Sequence, residues 1–257
     1  MKSDSRIVLL CADGDSTRAV AFALENEFGA IAIVMEEPIS RFQMAKRRAK
    51  KLGLIQVFGQ VLFITFATPV LRQMSRRRIE QIEKTYGLNK SPSGKIVSVV
   101  SVNSAMTRDI LRQLNPEVVV VNGTRIISEE TLNAIDAPFI NIHAGITPLY
   151  RGVHGAYWAL AEGRNDLVGT TVHLVDKGID TGNIIEQVYF DTDESDNFAT
   201  YPYLHTGVGI PVLIDAVKNT LSGTLKLRSG TSDLGSKLRY HPTIWRYIAN
   251  RLTKGVE

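Results

Sequence analysis

The first forty residues alternate in a pattern that few folds accommodate. Arg6 to Leu10 (RIVLL) is an apolar run of strand length, and Cys11 to Thr17 (CADGDST) is a polar turn. Arg18 to Glu27 then sets Val20, Ala23 and Leu24 at helical spacing, and a second apolar run follows at Ala30 to Met35. Strand, turn, helix, strand is how a doubly wound α/β sheet begins, because parallel neighbours need a crossover connection. Further β-rich runs lie at Ile96 to Val102, Glu117 to Val121, Ala137 to Ile142 and Thr170 to Val175, with helical spacing over Thr107 to Leu114. The expected fold is α/β: a Rossmann-like open, mostly parallel twisted sheet with helices on both faces and a short C-terminal extension. The expected division is a catalytic domain over 1–190, carrying an insert at about 40–90, with a helical or irregular extension over 191–257 packed on it.

Composition removes several classes. Hydrophobic residues make up 44% and charged residues 22% of 257, values that exclude a disordered or fibrous chain. Cys11 is the single cysteine, so neither an intramolecular disulfide nor a thiolate zinc site is available. The five histidines show no metal-ligand spacing, and no metal is expected. The apolar run Ile7 to Leu10 is too short for a signal peptide, which points to the cytoplasm.

The basic charge is local. Lys46, Arg47, Arg48, Lys50, Lys51, Arg72, Arg76, Arg77 and Arg78 fall in 46–78, a stretch with no acid, whereas the rest of the chain is net acidic. A nucleic-acid partner spread over the whole surface is therefore not expected. Between the two clusters, 52–71 (LGLIQVFGQVLFITFATPVL) carries no charge and matches a bilayer span in length. Three readings stand: a pair of buried helical pieces, a peripheral contact with an anionic membrane or a second subunit, and a true span. Two glutamines, Gly53, Gly59, Pro69 and cations at both ends weigh against the span.

Asn141 and His143 close an apolar strand and, being two apart, project to the same side. An amide donor and an imidazole at a carboxyl strand end can converge on one carbonyl oxygen, at the edge where open α/β sheets bind ligands. The surrounding sequence is more specific. Asn141 opens NIHAGITPLYRGVHGAYWALAEG, with Pro148, Tyr150 and Gly152 in a loop, and Gly169 to Gln187 reads GTTVHLVDKGIDTGNIIEQ. Together with Asn122 to Ile127 (NGTRII), these segments resemble the formyltransferase family that uses 10-formyl-tetrahydrofolate. That family pairs Asn-x-His with a Pro-x-Tyr-x-Gly loop, a Thr-Val-His strand (here Thr171, Val172, His173) and an acidic turn (here Asp176, Gly178, Asp180, Gly182).

The resemblance implies a primary amine attacking the formyl carbon, with Asn141 and His143 stabilising the oxyanion of a tetrahedral intermediate. It implies that Asp180 holds His143 in its useful tautomer, raises its pKa and relays the released proton. Arg125, Ile126 and Ile127 would meet the pterin edge of the folate through their backbone, and Val175, Asp176, Lys177, Gly178 and Ile179 would close around it. Gly145, Tyr150, Arg151 and Gly152 would face the amine substrate. His173 reads equally well as functional or as core-facing.

Three acceptors compete. Glycinamide ribonucleotide enzymes carry a Gly-rich phosphate loop after the first strand, where this chain has Ala12-Asp13-Gly14-Asp15-Ser16. The family's Pro-Ser after the histidine is also replaced, by Ala144-Gly145. Methionyl-tRNA formyltransferases continue into an RNA-binding domain, for which the residues after Gln187 are few. The expected partner is thus a nucleotide-linked amino sugar of the kind used in O-antigen and lipopolysaccharide synthesis, with GDP-perosamine the best single candidate and dTDP-linked amino sugars close behind. A homodimer and a contact with an anionic membrane surface are open. A non-enzymatic membrane-surface scaffold remains the alternative from another class.

Overall fold

The computed structural model describes residues 6–228 and 235–256. The N-terminal half runs β1 Ile7–Ala12, α1 Asp15–Phe28, β2 Ala32–Glu36, α2 Arg41–Leu52, α3 Leu54–Leu62, a π-helical turn Phe63–Ala67, α4 Thr68–Met74 and α5 Arg76–Tyr86. Next come β3 Ile96–Val99, α6 Ala105–Leu114, β4 Val118–Asn122, α7 Glu129–Leu132, β5 Phe139–His143, β6 Tyr150–Gly152 and α8 Gly155–Ala161. The chain continues through β7 Gly169–Leu174, β8 Ile184–Tyr189, α9 Tyr201–Leu221, β9 Lys237–Arg239 and α10 Ile244–Lys254.

Seven strands form one sheet in the order β3-β2-β1-β4-β5-β7-β8. The first five are mutually parallel, and β7 and β8 join antiparallel. Alternation builds two cores from the same strands. Leu9, Cys11, Val118 and Val120 face Val20, Leu24, Leu213 and Val217 of α1 and α9. Val8, Leu10, Val119 and Val121 face the other way, toward Leu111 of α6. Four consecutive valines in β4 make sense only for a strand covered on both faces.

The segment expected as a C-terminal extension supplies α9, whose Leu213 and Val217 are fully buried against the sheet, and α10; within it, 229–234 and Glu257 lie outside the described residues. Phe63, Tyr157, Phe198 and Tyr247 build a separate aromatic cluster that ties the insert and α10 to α8.

The uncharged run is not a pair of buried pieces. α3, the π turn and α4 form one continuous helix, Leu54–Met74, long and apolar enough by composition to cross a membrane. One side packs along the domain: Val57, Phe63 and Leu71 are buried, and Gln60 donates to the His241 carbonyl at 2.9 Å. The outer side is exposed, with Leu54 and Ile55 at 78%. Pro69 explains the widened turn, since it lacks an N–H and its ring crowds the carbonyl four residues back. At Gly59 an added Cβ would come within 2.3 Å of the Trp245 ring, so the missing side chain lets α10 dock.

Candidate active site

Asn141 and His143 lie at the end of β5, and β7 runs antiparallel beside them with His173 opposite Asn141 and Thr171 opposite His143. This register gives each polar residue of the Thr-Val-His strand a function. Thr171 Oγ1 donates to the Gly145 carbonyl at 2.8 Å and accepts from Thr147 N–H at 3.1 Å, pinning the loop after the histidine. Val172 is in the core. His173 Nδ1–H donates to the Leu174 carbonyl at 2.7 Å, which leaves Nε2 as an acceptor for the Asn141 amide at 3.1 Å. Asn141 is thereby oriented by a cross-strand partner.

Asp180 reaches the same place from the acidic turn. Its backbone is left-handed at φ 52°. Asp176 staples that turn, accepting from Gly178 N–H at 2.9 Å and from the Thr181 hydroxyl at 2.7 Å. A Cβ at Gly182 would sit 1.7 Å from the Leu174 carbonyl, so only glycine fits there. One Asp180 oxygen accepts Gly152 N–H at 2.9 Å, and the other lies 3.4 Å from His143 Nδ1 and 3.7 Å from His173 Nε2.

Electrostatics correct one expectation. Burial pushes the His143 pKa down, and the neighbouring Asp180 charge, which pushes it up, does not compensate. The imidazole is therefore neutral at rest, because a fully enclosed ring loses more hydration than one carboxylate restores. For Asp180, burial pushes upward, but the adjacent His143 and the hydrogen bond from Gly152 N–H outweigh it and bring the pKa to about 2. Its ionisation does not depend on a charged His143, since the Gly152 amide holds the anion in either case. Nor does Asp180 fix the tautomer. His143 Nε2 lies 2.8 Å from the Tyr150 carbonyl, an acceptor only, so this nitrogen carries the proton.

These groups line a cavity of about 720 Å³. Arg125, Ile126 and Ile127 form one wall, and Val175, Asp176, Gly178 and Ile179 another, whereas Lys177 is not part of the lining. Part of the expected backbone edge is already engaged. The Arg125 N–H donates to buried Glu36 at 2.7 Å, and the Ile126 carbonyl accepts from Asn103 at 2.9 Å. Of the expected amine-site residues, Gly152 lines the cavity; Gly145, Tyr150 and Arg151 do not. Tyr150 turns its hydroxyl to Glu162 and offers His143 its carbonyl, while Arg151 holds the Ile179 carbonyl at 3.3 Å. Gly145 packs against Gly155, where a Cβ on Gly155 would meet the Gly145 Cα at 2.4 Å.

Arg48, Lys51, Arg239 and Tyr240 also line the cavity, and the sequence did not single them out. Arg48 is half-buried with no ion pair among the described residues, and burial lowers its pKa. His205 is buried beside them; its Nε2 has no hydrogen-bond partner among the described residues.

The formyl transferase family model matches residues 39–203, more than half of the chain. This chain belongs to the formyl transferase family. A methionyl-tRNA formyltransferase of Caldanaerobacter subterraneus subsp. tengcongensis is 35% identical over 116 residues, which is 45% of this chain and 37% of that relative. The chain spans only part of the curated relatives it matches, eight methionyl-tRNA formyltransferases being matched over 36–50% of their own length. Among solved structures, a sugar N-formyltransferase from Shewanella sp FDAARGOS_354 superposes with a TM-score of 0.54 at 16% identity, covering 91% of this chain and 76% of that one. WlaRD, a sugar 3N-formyl transferase solved in the presence of dTDP and 5-N-formyl-THF, gives 0.55 at 15% identity over 90% and 68%. Glycinamide ribonucleotide transformylase 1 from Symbiobacterium toebii gives 0.56 at 15% over 88% and 92%. At these identities the superpositions establish the shared fold of the formyl transferase family.

Proposed function

We propose that this member of the formyl transferase family moves a formyl group from 10-formyl-tetrahydrofolate to the primary amine of a nucleotide-linked amino sugar. The observation that carries the chemistry is the convergence of Asn141, His143 and Asp180 on one cavity. The cavity is of ligand size, and its walls at Arg125, Ile126 and Ile127 and at Val175, Asp176, Gly178 and Ile179 combine apolar side chains with main-chain edges, which suits a flat pterin. The folate supplies an activated formyl group. Asn141, held by His173, keeps one amide hydrogen for the formyl oxygen as that oxygen gains charge. His143 Nδ1 takes the proton released by the attacking amine, assisted by Asp180. The imidazolium then lies between two acceptors, the Tyr150 carbonyl and Asp180, and returns its proton to the departing folate nitrogen.

The acceptor reading rests on where positive charge meets the cavity. In the turn after β1, Asp13 pairs with Arg18 at 2.9 Å, and Asp15 accepts from Arg72 at 2.5 Å and from the Tyr203 hydroxyl at 2.7 Å. A phosphate there would meet carboxylates. Arg48 and Lys51, which line the cavity, provide cations for a diphosphate instead. A panel of GDP- and dTDP-linked 4-amino sugars, GDP-perosamine first, tests the reading by mass detection of a formyl adduct. Formylation of glycinamide ribonucleotide or methionyl-tRNA alone overturns the acceptor and leaves formyl transfer standing.

A further inference from the structure

We infer that the outer face of the Leu54–Met74 helix is a docking surface for an anionic lipid membrane, with the helix lying in the plane of the interface. Between Glu37 and Glu80 the chain has no acidic residue, and between Lys51 and Arg72 it has no charge at all. Leu54, Ile55, Phe58, Phe66, Val70 and Met74 are each at least 57% exposed along this one helix. Soluble monomers rarely leave contiguous apolar patches larger than a few hundred square ångströms, roughly the area of a few such side chains. The surface extends onto α10, which packs on α3 through Trp245; Trp245, Ile248 and Leu252 are exposed there at helical spacing. Tryptophan at such an edge suits the headgroup boundary.

The inner face decides the orientation. Val57, Phe63 and Leu71 are buried in the domain and Gln60 is bonded to α10's approach at His241. A helix fastened along its length to a folded domain cannot cross the bilayer while that domain stays in water. It can lie on the bilayer.

Charge decides the occupant. Arg72, Arg76 and Arg78 are committed to Asp15, Glu80 and Asp196. Lys46, Arg47 and Lys50 on α2, one residue before α3 across Gly53, are exposed or solvent-facing with no ion pair among the described residues; so is Arg77 at the far end. A second copy packed on the same face would bring a matching set of cations and no acid from this segment to answer them. Anionic headgroups answer them directly. α2 also sends Arg48 and Lys51 into the catalytic cavity, so docking sets the cavity mouth beside the lipid surface.

The test is vesicle flotation of the purified full-length protein with phosphatidylcholine vesicles and with vesicles containing about one-third phosphatidylglycerol, at low and high salt. The expected result is binding at least about tenfold tighter to the anionic vesicles, weakened by salt. Lys46→Glu, Arg47→Glu and Lys50→Glu together should lower it by about two orders of magnitude. Phe58→Asp with Phe66→Asp should abolish it. Both variants should keep their thermal midpoint and their formyl transfer in the absence of vesicles, since none of these residues lines the cavity. Failure to float with either vesicle, or equal binding to both, overturns the proposal. So does a wild-type dimer that Phe58→Asp with Phe66→Asp dissociates while no vesicle binding is seen, which gives the face to a second copy. Protein released only by detergent overturns it as well, in favour of a span.

Discussion

His143 and Tyr150 are joined through a ring nitrogen and a main-chain carbonyl 2.8 Å apart. The His143 imidazole is therefore anchored by the backbone of β6, and Asp180 is free to respond to the nitrogen that faces it. The division matters because a backbone acceptor cannot titrate, whereas the Nδ1 side, 3.4 Å from the Asp180 carboxylate, is free to take up a proton.

His143→Ala and Asp180→Asn are each expected to lower kcat by about 100-fold or more, on the order of 3 kcal/mol of transition-state stabilisation. Folate Kd should change little. Because burial holds the His143 pKa below its ordinary value and the Asp180 charge opposes that, the acid limb of kcat should fall below pH 6.5. Asp180→Asn should move it lower still. Stopped-time assays across pH with the wild type and the variant read both effects.

His173→Ala should behave as loss of a positioning residue. The Asn141 amide loses the acceptor 3.1 Å away that aims it. The expectation is a roughly tenfold fall in kcat with an unchanged acid limb, against about 100-fold for Asn141→Ala. An acid limb that shifts in His173→Ala would instead assign His173 to proton transfer.

Arg48→Ala and Lys51→Ala should each raise KM for the nucleotide-linked acceptor by about tenfold, ~1.4 kcal/mol, with kcat and folate affinity nearly constant. Steady-state kinetics with each substrate varied separates these outcomes. If KM for the folate rises instead, the cationic side belongs to the co-substrate.

The central and site strands were legible in the sequence because a twice-covered strand is written as a continuous apolar run, as in Val118 to Val121. Spacing alone offered only Asn141 and His143, two apart on a strand; Asp180 and the glycines of the acidic turn came from the resemblance to the formyltransferase family, and Gly178 and Gly182 fall where a Cβ would collide. Arg48 and Lys51 were not legible. In a basic helix nothing local says which cations turn inward, since α2 is placed by its packing on α3 and Lys51 by the Tyr240 ring. α9 was hidden for a different reason. Gly207, Gly209 and Pro211 are helix breakers, yet they sit inside its 21 residues. Gly207 leaves room for the Tyr86 ring and Gly209 for Ile142 and Thr170, so packing outweighs propensity.

Stability should fall in acid earlier than carboxylates alone would cause. Burial lowers the His205 pKa to about 3 and that of His241 to about 4, from 6.5. Between those values and 6.5 the unfolded chain binds more protons than the folded one, so stability rises with pH there. The contribution is complete above pH 6.5 and is lost as pH falls toward 4. Asp180, with its pKa near 2, adds its own loss only below about 3.8. Scanning calorimetry should show Tm dropping on the order of 10 °C between pH 7 and 4.5. A flat Tm over that range would mean the histidines are solvated.

The π turn at Phe63–Ala67 holds one residue more than an α-helix would need for the same advance. That surplus sets the phase of everything after it. Winding these residues as ordinary α-helix without removing one would rotate α4 by about 100°. Leu71 would leave the aromatic cluster, and Arg72 would lose both Asp15 and the Tyr203 hydroxyl. The length of this surface helix is thus indexed to the turn after β1 some 50 positions upstream in the sequence (57 for the Arg72–Asp15 pair). The widened turn is the gearing between the insert and the sheet, and a chain that winds the insert as plain α-helix keeps the same couplings only if it is one residue shorter here.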